Sequence, residues 1–437
     1  MTQTPYRAED AALEATGNIF SLTWPDGTII TLDRFKERSD ELTAEVTIRL
    51  RANPTTAPRH VHQARLNLVS TQARDRLAKQ LETVMPRRDS QYPAWAAVLE
   101  VACVLVLRKW REGEPVYDIG ALPPTNGTVP YQAWPFIILG QPTIVYAEGG
   151  IGKSVFARYL ALLVQAGLSR TGITVQQANV LYLDWETDRA TFLHYIWALK
   201  KEMPELHPDL AVSYRRCHSS LVSDGVEIQR IVAEKHIGMV VCDSVMAGFG
   251  DDINDNAQAM QYFNTVRSWG TSALLVDHHG KVDTGPIGAS GKWTRARAVW
   301  EMKAGEQDNP DVVRVGLFHR KVNDGRFQPP AGFEFKFLSR HEGEEEHLEG
   351  IAVKRTDIAD IPDLSGDLPV GQQIISFLQH GKASALDIVN YMNANRPPKK
   401  KPYSDPYIRV TLSRLEQKGR VVHLPDGSWG LAARPET

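Results

Sequence analysis

The chain has 437 residues, of which 42% are hydrophobic and 23% charged, and its formal net charge is -2. This length favours two to three domains, and the composition is typical of soluble globular protein. The near-zero charge gives no general attraction to phosphate, so any contact to nucleic acid must come from local basic patches. No apolar run reaches the ~18 residues that cross a bilayer and no secretory signal opens the chain, which predicts a cytoplasmic protein without a membrane partner.

Residues 1–112 predict a small α+β domain. Four β-prone runs, two of them on either side of a Pro-Asp-Gly turn, precede two helical stretches. The strands are predicted at 19–22, 28–32, 43–50 and 64–69, and the helices at 71–84 and 92–111. Residues 113–134, rich in Pro and Gly, are predicted as a linker.

Residues 135–355 alternate short apolar runs with helical stretches. The runs at 143–147, 180–184, 239–243 and 273–277 are each followed by polar or glycine-rich sequence. This alternation predicts an α/β domain with a mostly parallel sheet that is covered on both faces. Further strands are predicted at 312–318, 333–338 and 348–353.

The end of the chain changes in character after a second predicted linker, residues 356–369. Helices are predicted at 370–379, 385–393 and 407–418, and a hairpin at 420–431 around Pro425-Asp426-Gly427. Three helices followed by a two-stranded wing describe a winged helix-turn-helix, which gives a third domain over 370–434.

A glycine-rich segment directly after the first core strand is the strongest chemical signal. It matches the P-loop motif and consists of Glu148, Gly149, Gly150, Ile151, Gly152, Lys153, Ser154 and Val155. Backbone N–H groups of such a loop face phosphate oxygens, and the helix that follows adds the positive end of its dipole. We expect Lys153 to reach the β and γ phosphates and the Ser154 hydroxyl to hold Mg²⁺, so ATP and Mg²⁺ are the predicted cofactors.

Acidic side chains follow two other strands of the predicted sheet. Asp243 ends an apolar strand, a position that places a carboxylate beside the metal ion through water. Asp184 and Glu186 end another strand, and either can orient the attacking water. The alternative is that both are acids of a first helical turn without a catalytic role.

A pair of histidines, His278 and His279, follows the strand after the one that carries Asp243. A polar residue at this position can sense the γ-phosphate, and histidine can donate a hydrogen bond without a permanent charge. We select His279 as the candidate, with packing or surface exposure of the pair as the alternative.

Together these segments resemble the RepA-type branch of the RecA/DnaB superfamily, which includes hexameric replicative helicases of plasmids and phages. The resemblance covers about residues 135–340, and its matches are AEGGIGKS, VLYLDWETD, VVCDS with GFGDDINDNAQ, and LLVDHHGK with GPIGASG. It implies a RecA-like ATPase core and a homo-oligomeric ring, expected as a hexamer, with ATP between subunits. It also implies that the strand next to the P-loop strand carries the water-orienting glutamate, which favours Glu186 over Asp184.

The resemblance further implies that a basic residue of the neighbouring subunit completes each ATP site. The segment from His319 to Arg326 looks like the strand and turn that supply it, although it departs from the Lys-Asn-Arg pattern of DnaB-like members. Arg320, Lys321 and Arg326 are therefore all candidates.

Two loops are implied to face a central channel, at about 246–258 and 280–297. The second contains Lys281, Lys292, Arg295 and Arg297 around Trp293, which suits single-stranded DNA because cations follow phosphates and a ring stacks on bases. The alternative is a solvated loop with Trp293 in the core. The first loop is acidic and has no assigned role.

Basic residues also mark the predicted winged helix. Lys400 precedes its third helix, and Arg409 and Arg414 lie on that helix. This arrangement suits contact with double-stranded DNA, with a protein-interaction module as the alternative.

These interpretations predict an ATP-driven hexameric replicative helicase or translocase on single-stranded DNA. The alternative is a DNA-bound ATP switch that does not unwind DNA, such as a loader, a recombination mediator or a defence regulator.

Overall fold

The computed structural model describes residues 7–432 except for 52–55, 87–92, 113–115, 117, 119–127, 251, 281–284, 289, 308, 343–344 and 397–400. The chain forms two compact units. The first contains residues 1–128 with 223–236 and 268–270, and the second contains the remainder. No helix in the described part of the chain is both long and apolar enough to cross a membrane.

Within residues 1–128, the described part forms a five-stranded antiparallel sheet in the order β1-β2-β3-β4-β5 and two helices. Within this sheet, β1 was not predicted from the sequence, because nearly all of its side chains are exposed and its sequence has no apolar alternation. The elements are a 3₁₀ turn (Ala8–Asp10), β1 (Ala12–Thr16), β2 (Ile19–Thr23), β3 (Thr28–Arg38), β4 (Glu41–Leu50), β5 (Arg59–Asn67), α1 (Thr71–Val84) and α2 (Trp95–Glu112).

The second unit is built on a nine-stranded sheet in the order β11-β10-β12-β13-β8-β14-β15-β16-β17, parallel as far as β14 and antiparallel beyond it. Three short strands form a separate sheet in the order β7-β6-β9. The strands are β6 (Tyr131–Trp134), β7 (Ile137–Ile138), β8 (Pro142–Ala147), β9 (Thr174–Val175), β10 (Asn179–Asp184), β11 (Ser213–Arg216), β12 (Ile237–Asp243), β13 (Ser272–His278), β14 (Ala298–Ala304), β15 (Val312–Val322), β16 (Ala331–Glu342) and β17 (Glu345–Thr356).

In the part of the chain that the structure describes, six helices connect these strands, and most of the third, α5, belongs to the first unit. The helix after β8 is apolar on nearly every face and largely buried, so it fixes the position of the loop that precedes it relative to the sheet. The helices are α3 (Lys153–Ala166), α4 (Arg189–Lys201), α5 (Leu221–Glu234), α6 (Val245–Gly248), α7 (Asn256–Ser268) and α8 (Ser290–Arg295).

The strand order corrects one expectation. The neighbours of the P-loop strand β8 are β13 and β14, whereas β10, which precedes Glu186, lies beyond β12 and β13. The implied position of the glutamate strand next to the P-loop strand is therefore wrong. Because β8, β10, β12 and β13 are parallel, their carboxyl ends still share one edge of the sheet.

Residues 370–431 form three helices followed by an antiparallel hairpin of β18 and β19, at the positions that the sequence predicts. Their apolar faces pack on one another around Ile374, Ile388, Met392, Ile408 and Leu412. The elements, with the turns that precede them, are a 3₁₀ turn (Ile358–Asp360), α9 (Pro362–Ser365), α10 (Val370–Gln379), α11 (Ala385–Ala394), α12 (Asp405–Gln417), β18 (Val421–His423) and β19 (Trp429–Leu431).

Candidate functional site

The P-loop is the turn between β8 and α3. Gly150 and Gly152 have φ angles of +79° and +96°, in the left-handed region that glycine enters without a steric penalty. A side chain at Gly152 would also approach the ring of Phe335 to 3.2 Å. The two glycines therefore let the chain reverse tightly and present backbone N–H groups at the start of α3.

Lys153 is folded back over this loop. Its Nζ donates hydrogen bonds to the carbonyl oxygens of Ala147 at 3.1 Å and Glu148 at 2.6 Å, and the residue is only 7% exposed. Burial lowers the pKa of Lys153, while nearby carboxylates, first those of Glu186 and Asp243, oppose the decrease. A buried ammonium among carboxylates at the mouth of a P-loop is in place to meet phosphate.

Asp243, at the end of β12, lies beside Ser154. Its Oδ2 accepts a hydrogen bond from the hydroxyl of Tyr182 at 2.6 Å, and its Oδ1 is buried without a hydrogen-bond partner in the described part of the chain. Burial raises the pKa of Asp243, and hydrogen bonds from Tyr182 and Ser154 oppose the increase. A free carboxylate oxygen next to a hydroxyl fits Mg²⁺, which binds through one or two protein oxygens together with substrate phosphates.

Glu186 extends from the turn after β10 into the same cavity. Its Oε1 accepts a hydrogen bond from the Ser244 hydroxyl and lies 3.2 Å from Nε2 of His278. Burial raises the pKa of Glu186, but the hydrogen bonds from Ser244 and His278 outweigh it, so the net pKa is below the ordinary value. The cavity has a volume of about 230 Å³, and its lining includes Lys153, Ser154, Arg158, Glu186, Asp243 and His278.

Asp184, the competing acid, is fully buried and serves the turn instead. Its Oδ1 accepts hydrogen bonds from the N–H groups of Glu186 at 2.9 Å and Thr187 at 2.8 Å, and its Oδ2 accepts from the Thr187 hydroxyl. Arg216 lies 3.6 Å from the same carboxylate. Because these donors occupy Asp184, the geometry favours Glu186 as the acid that meets water.

The structure places His278 rather than His279 in the cavity. His279 points to the other face of the sheet, where its Nε2 lies 3.4 Å from Glu301 and its Nδ1 lies 2.7 Å from the carbonyl oxygen of Gly280. Successive side chains of a strand alternate between faces, so only one of two adjacent histidines can line the cavity. The selection of His279 as the phosphate-facing residue is therefore corrected to His278.

The position of the Lys292 side chain also differs from the expectation. Its side chain is fully buried, with Nζ 3.1 Å from Asp277 Oδ2 and 4.6 Å from the ring centre of Phe249. Helix α8 directs the Lys292 ammonium group inward, where it compensates the buried carboxylate of Asp277. The predicted contact of Lys292 with DNA is therefore wrong. Lys281, predicted for the same role, lies outside the described residues.

Four cations meet at the other end of α8, and we call them the basic cluster: Arg267, Arg295, Arg297 and Lys321. The Arg267 side chain donates to the carbonyl oxygen of Arg295, and Lys321 Nζ donates to three carbonyl oxygens of residues 293–296 at 2.6 to 2.9 Å. Burial and then the charges of Arg297 and Arg267 lower the pKa of Lys321. Asp324 lies 3.7 Å from Arg297. The sequence did not identify Arg267, because it is the last basic residue of an ordinary amphipathic helix.

The three candidates for a residue that acts on a neighbouring subunit are in different environments. Arg320 Nε donates to Glu301 at 2.7 Å, and Lys321 is bound to the carbonyl oxygens at the end of α8. Arg326 is exposed, and within the described part of the chain its side chain forms no ion pair. None of the three lines the P-loop cavity of its own chain.

The basic residues predicted on the third C-terminal helix are exposed. Arg409 Nε lies 2.7 Å from Asp405 one turn earlier, and Arg414 faces solvent. Tyr407 and Val410, on the same helix, are also exposed, at 49% and 50%. Lys400 lies outside the described residues.

A protein-family profile described as an AAA domain matches residues 118–284, which contain the P-loop, Glu186, Asp243 and His278. No curated protein matches the chain. Among solved structures, the chain is similar to a KaiC-like protein of the hyperthermophilic archaeon Pyrococcus horikoshii OT3. The identity is 13% and the TM-score 0.35, over 49% of this chain and 90% of that one.

The family match and the site agree on one class of protein. The matched region contributes the phosphate-binding loop, the two carboxylates and the histidine that the parallel sheet brings to one cavity. Residues 118–284 therefore carry the site of a P-loop ATPase, a class that binds a nucleoside triphosphate and, as a rule, Mg²⁺.

Proposed function

We propose that the chain is an ATP-hydrolysing, DNA-binding motor, a RepA-like hexameric helicase or translocase on single-stranded DNA. ATP hydrolysis is supported by one observation above all, the convergence of Lys153, Ser154, Glu186 and Asp243 on a single cavity. These are the groups that phosphoryl transfer to water requires, because the reaction depends on positioning and on neutralising phosphate charge.

Each group has a distinct role in this proposal. Lys153 neutralises the β and γ phosphates, and the N–H groups of the loop hold their oxygens. Ser154 and Asp243 would hold Mg²⁺, which supplies positive charge to the phosphate oxygens. Glu186, kept ionised by the hydrogen bonds from Ser244 and His278, orients the attacking water and accepts its proton.

The basic cluster supports the nucleic-acid part of the proposal. Arg267 is exposed, Arg295 and Arg297 are half-buried, and Asp324 is the one carboxylate paired with them in the described part of the chain. Such a local excess of cations in a chain of net charge -2 favours a polyanion. In this proposal residues 370–431 are a winged helix, and Arg409 and Arg414 contact double-stranded DNA.

Assembly into a ring is supported by the position of Arg326. It is exposed and forms no ion pair with the residues that the structure describes, whereas Arg320 and Lys321 are engaged within their own chain. We therefore assign Arg326 as the residue that reaches the γ-phosphate on the neighbouring subunit.

A DNA-bound ATP switch that does not unwind DNA is the second candidate. The burial of Lys292 favours it, because one of the cations expected to follow a moving strand instead compensates Asp277. The exposed Tyr407 and Val410 add an apolar surface to the third C-terminal helix, which suits a protein contact.

One experiment separates the two candidates. ATP hydrolysis is measured with and without single-stranded DNA, and strand displacement is measured on a forked duplex at the same protein concentration. A motor shows both DNA-stimulated hydrolysis and displacement. If DNA stimulates hydrolysis but no strand is displaced, the result supports the switch. If the rate of hydrolysis is the same with and without DNA, the result contradicts both candidates.

A further inference from the structure

A buried arginine, Arg158, lines the P-loop cavity. It lies on α3 four residues after Ser154, which places both side chains on the same face of the helix. The residue is 3% exposed, and its Nε has no hydrogen-bond partner in the described part of the chain. A buried cation is unfavourable unless its surroundings compensate it, so its contacts show what it acts on.

Three aromatic rings surround the guanidinium group. Its central carbon lies 5.9 Å from the ring centre of Tyr182, 5.5 Å from that of Phe192 and 4.9 Å from that of Tyr195. Ring faces attract a cation within about 6 Å. Tyr182 belongs to β10 and the other two to α4, so the rings flank the turn that carries Glu186.

Arg158 also contacts that turn directly. One of its terminal nitrogens donates to the Thr187 hydroxyl at 3.4 Å, and this hydroxyl donates to Asp184. Thr187 is the residue after Glu186. Arg158 therefore links the P-loop helix to the backbone from which the water-orienting glutamate extends.

The charge of Arg158 acts on the metal side of the site as well. Arg158, Ser154 and Asp243 line the same cavity, so the guanidinium charge lies in one cavity with the side chains that would hold the metal. Besides Lys153, Arg158 is the other basic side chain of a Lys or Arg among the residues that line this cavity. It therefore compensates the carboxylates of Glu186 and Asp243 before any ligand enters.

We propose that Arg158 is a positioning residue with two effects on the ATPase site, an inference that rests on the proposed function. Through Thr187 it fixes the turn that carries Glu186. Through its charge it opposes a divalent cation at Asp243, so that Mg²⁺ enters with the phosphates of the nucleotide rather than alone. A residue that served packing alone would fill this aromatic environment without a charge.

The test uses the full chain and four variants. Arg158→Met removes the charge and leaves a shorter, unbranched side chain, and Arg158→Lys keeps the charge without the bond to Thr187. Thr187→Val removes the hydroxyl link, and Thr187→Ser retains it. For each variant we measure kcat and KM for ATP, and the Mg²⁺ concentration that gives half-maximal binding of a fluorescent, non-hydrolysable ATP analogue.

For Arg158→Met, the two effects predict opposite consequences: Mg²⁺ binds more easily, and hydrolysis becomes slower. Arg158→Met needs roughly 3- to 10-fold less Mg²⁺, because a repelling charge is gone. Its kcat falls about 10- to 100-fold with little change in KM, because the glutamate turn is no longer fixed. Thr187→Val lowers kcat without a change in the Mg²⁺ requirement, and Thr187→Ser behaves like the wild type. Arg158→Lys restores the wild-type Mg²⁺ requirement but only part of kcat.

A higher Mg²⁺ requirement in Arg158→Met, or equal losses in kcat and in nucleotide affinity, would show a purely structural role and overturn the proposal. If Arg158→Met does not fold, Arg158→Lys and the Thr187 pair decide, and an unchanged kcat in Thr187→Val overturns it. A wild type that binds the analogue without hydrolysing ATP contradicts the proposed turnover, while the Mg²⁺ measurements still decide the role of the charge. A wild type that does not bind the analogue contradicts both.

Discussion

Glu186 is held by two side chains that come from different strands. Ser244 follows β12 and His278 ends β13, and both contact the same oxygen, Oε1. These contacts lower the pKa of Glu186 despite its partial burial, so the carboxylate is ionised near neutral pH. A fixed and ionised carboxylate beside a P-loop has the properties of a general base.

The choice between Glu186 and Asp184 can be tested with a matched pair of amide variants. Glu186→Gln is expected to bind ATP with wild-type affinity but to hydrolyse it at least about 100-fold more slowly, since proton acceptance is lost. Asp184→Asn is expected to lower thermal stability, because this carboxylate accepts hydrogen bonds within the turn. Hydrolysis and nucleotide binding are measured for both. Slow hydrolysis with normal stability in Asp184→Asn alone would reverse the assignment.

Lys153 has a separate role at the same scale. Lys153→Ala is expected to reduce ATP affinity at least about tenfold and to abolish turnover, because charged hydrogen bonds contribute about 1.5–3 kcal/mol each. Calorimetric titration with ATP and a phosphate-release assay measure the two effects. Turnover at the wild-type rate would contradict the P-loop assignment.

The sequence predicted the P-loop and the acidic residues of the cavity but not the direction of every side chain. Lys153 and Ser154 occupy fixed positions of a motif that the backbone dictates. The choice between His278 and His279 depended on the register of a single strand, which apolar content alone does not define. Lys292 could not be assigned, because only tertiary contacts reveal the buried Asp277 that it compensates.

At the scale of elements, α8 and β14 bring the basic cluster together. Arg295 ends the helix, Arg297 precedes the strand, and Lys321 comes from the antiparallel neighbour β15. Neither the short helix nor this strand could be predicted, since six residues do not show a helical period and β14 follows polar sequence directly. The apolar strands β8, β12 and β13 were predicted because they are buried on both faces.

The basic cluster predicts the salt dependence of DNA binding. Replacing Arg267, Arg295 and Arg297 by Ala is expected to weaken single-stranded DNA binding and to reduce the log-log salt slope by about 2, since each phosphate contact contributes about 0.7. Fluorescence anisotropy at several salt concentrations measures the slope. A matched control replaces Lys36 and Arg38, two exposed cations of β3, and should leave the slope unchanged.

Lys292→Ala is expected to change the stability of the fold rather than the salt dependence of DNA binding. It is expected to destabilise the fold by about 3–5 kcal/mol, because Asp277 is left as an uncompensated buried charge, while the salt slope stays at the wild-type value. A slope that decreases with Lys292→Ala but not with the triple variant would place the DNA contact on the other end of α8.

At the scale of the whole molecule, the cavity of one chain already contains two basic side chains, Lys153 and Arg158. Hydrolysis could therefore be completed within one subunit, or it could require Arg326 from a neighbour. These possibilities can be distinguished by measurement. An arginine supplied by another subunit raises the rate of hydrolysis roughly 10³- to 10⁵-fold, and only after the subunits have assembled.

Arg326→Ala is expected to bind ATP normally but to hydrolyse it roughly 10³- to 10⁵-fold more slowly. Arg320→Ala and Lys321→Ala are the matched controls. They remove neighbouring cations that are engaged with Glu301 and with the end of α8, so we expect lower thermal stability with smaller losses of rate.

Mixing Arg326→Ala with Lys153→Ala protein tests whether the site is shared. If neighbouring subunits share each site, the P-loop of the first variant meets the intact Arg326 of the second, and in a random equimolar ring about a quarter of the interfaces are complete. Activity should then return to a fraction of the wild-type value, although each variant alone is inactive. Co-purification through a tag on one variant establishes that the two assemble together. If co-assembled mixtures remain inactive, neighbouring subunits do not share a site, and the loss of activity in Arg326→Ala has a cause other than a missing contact with the γ-phosphate of the neighbour.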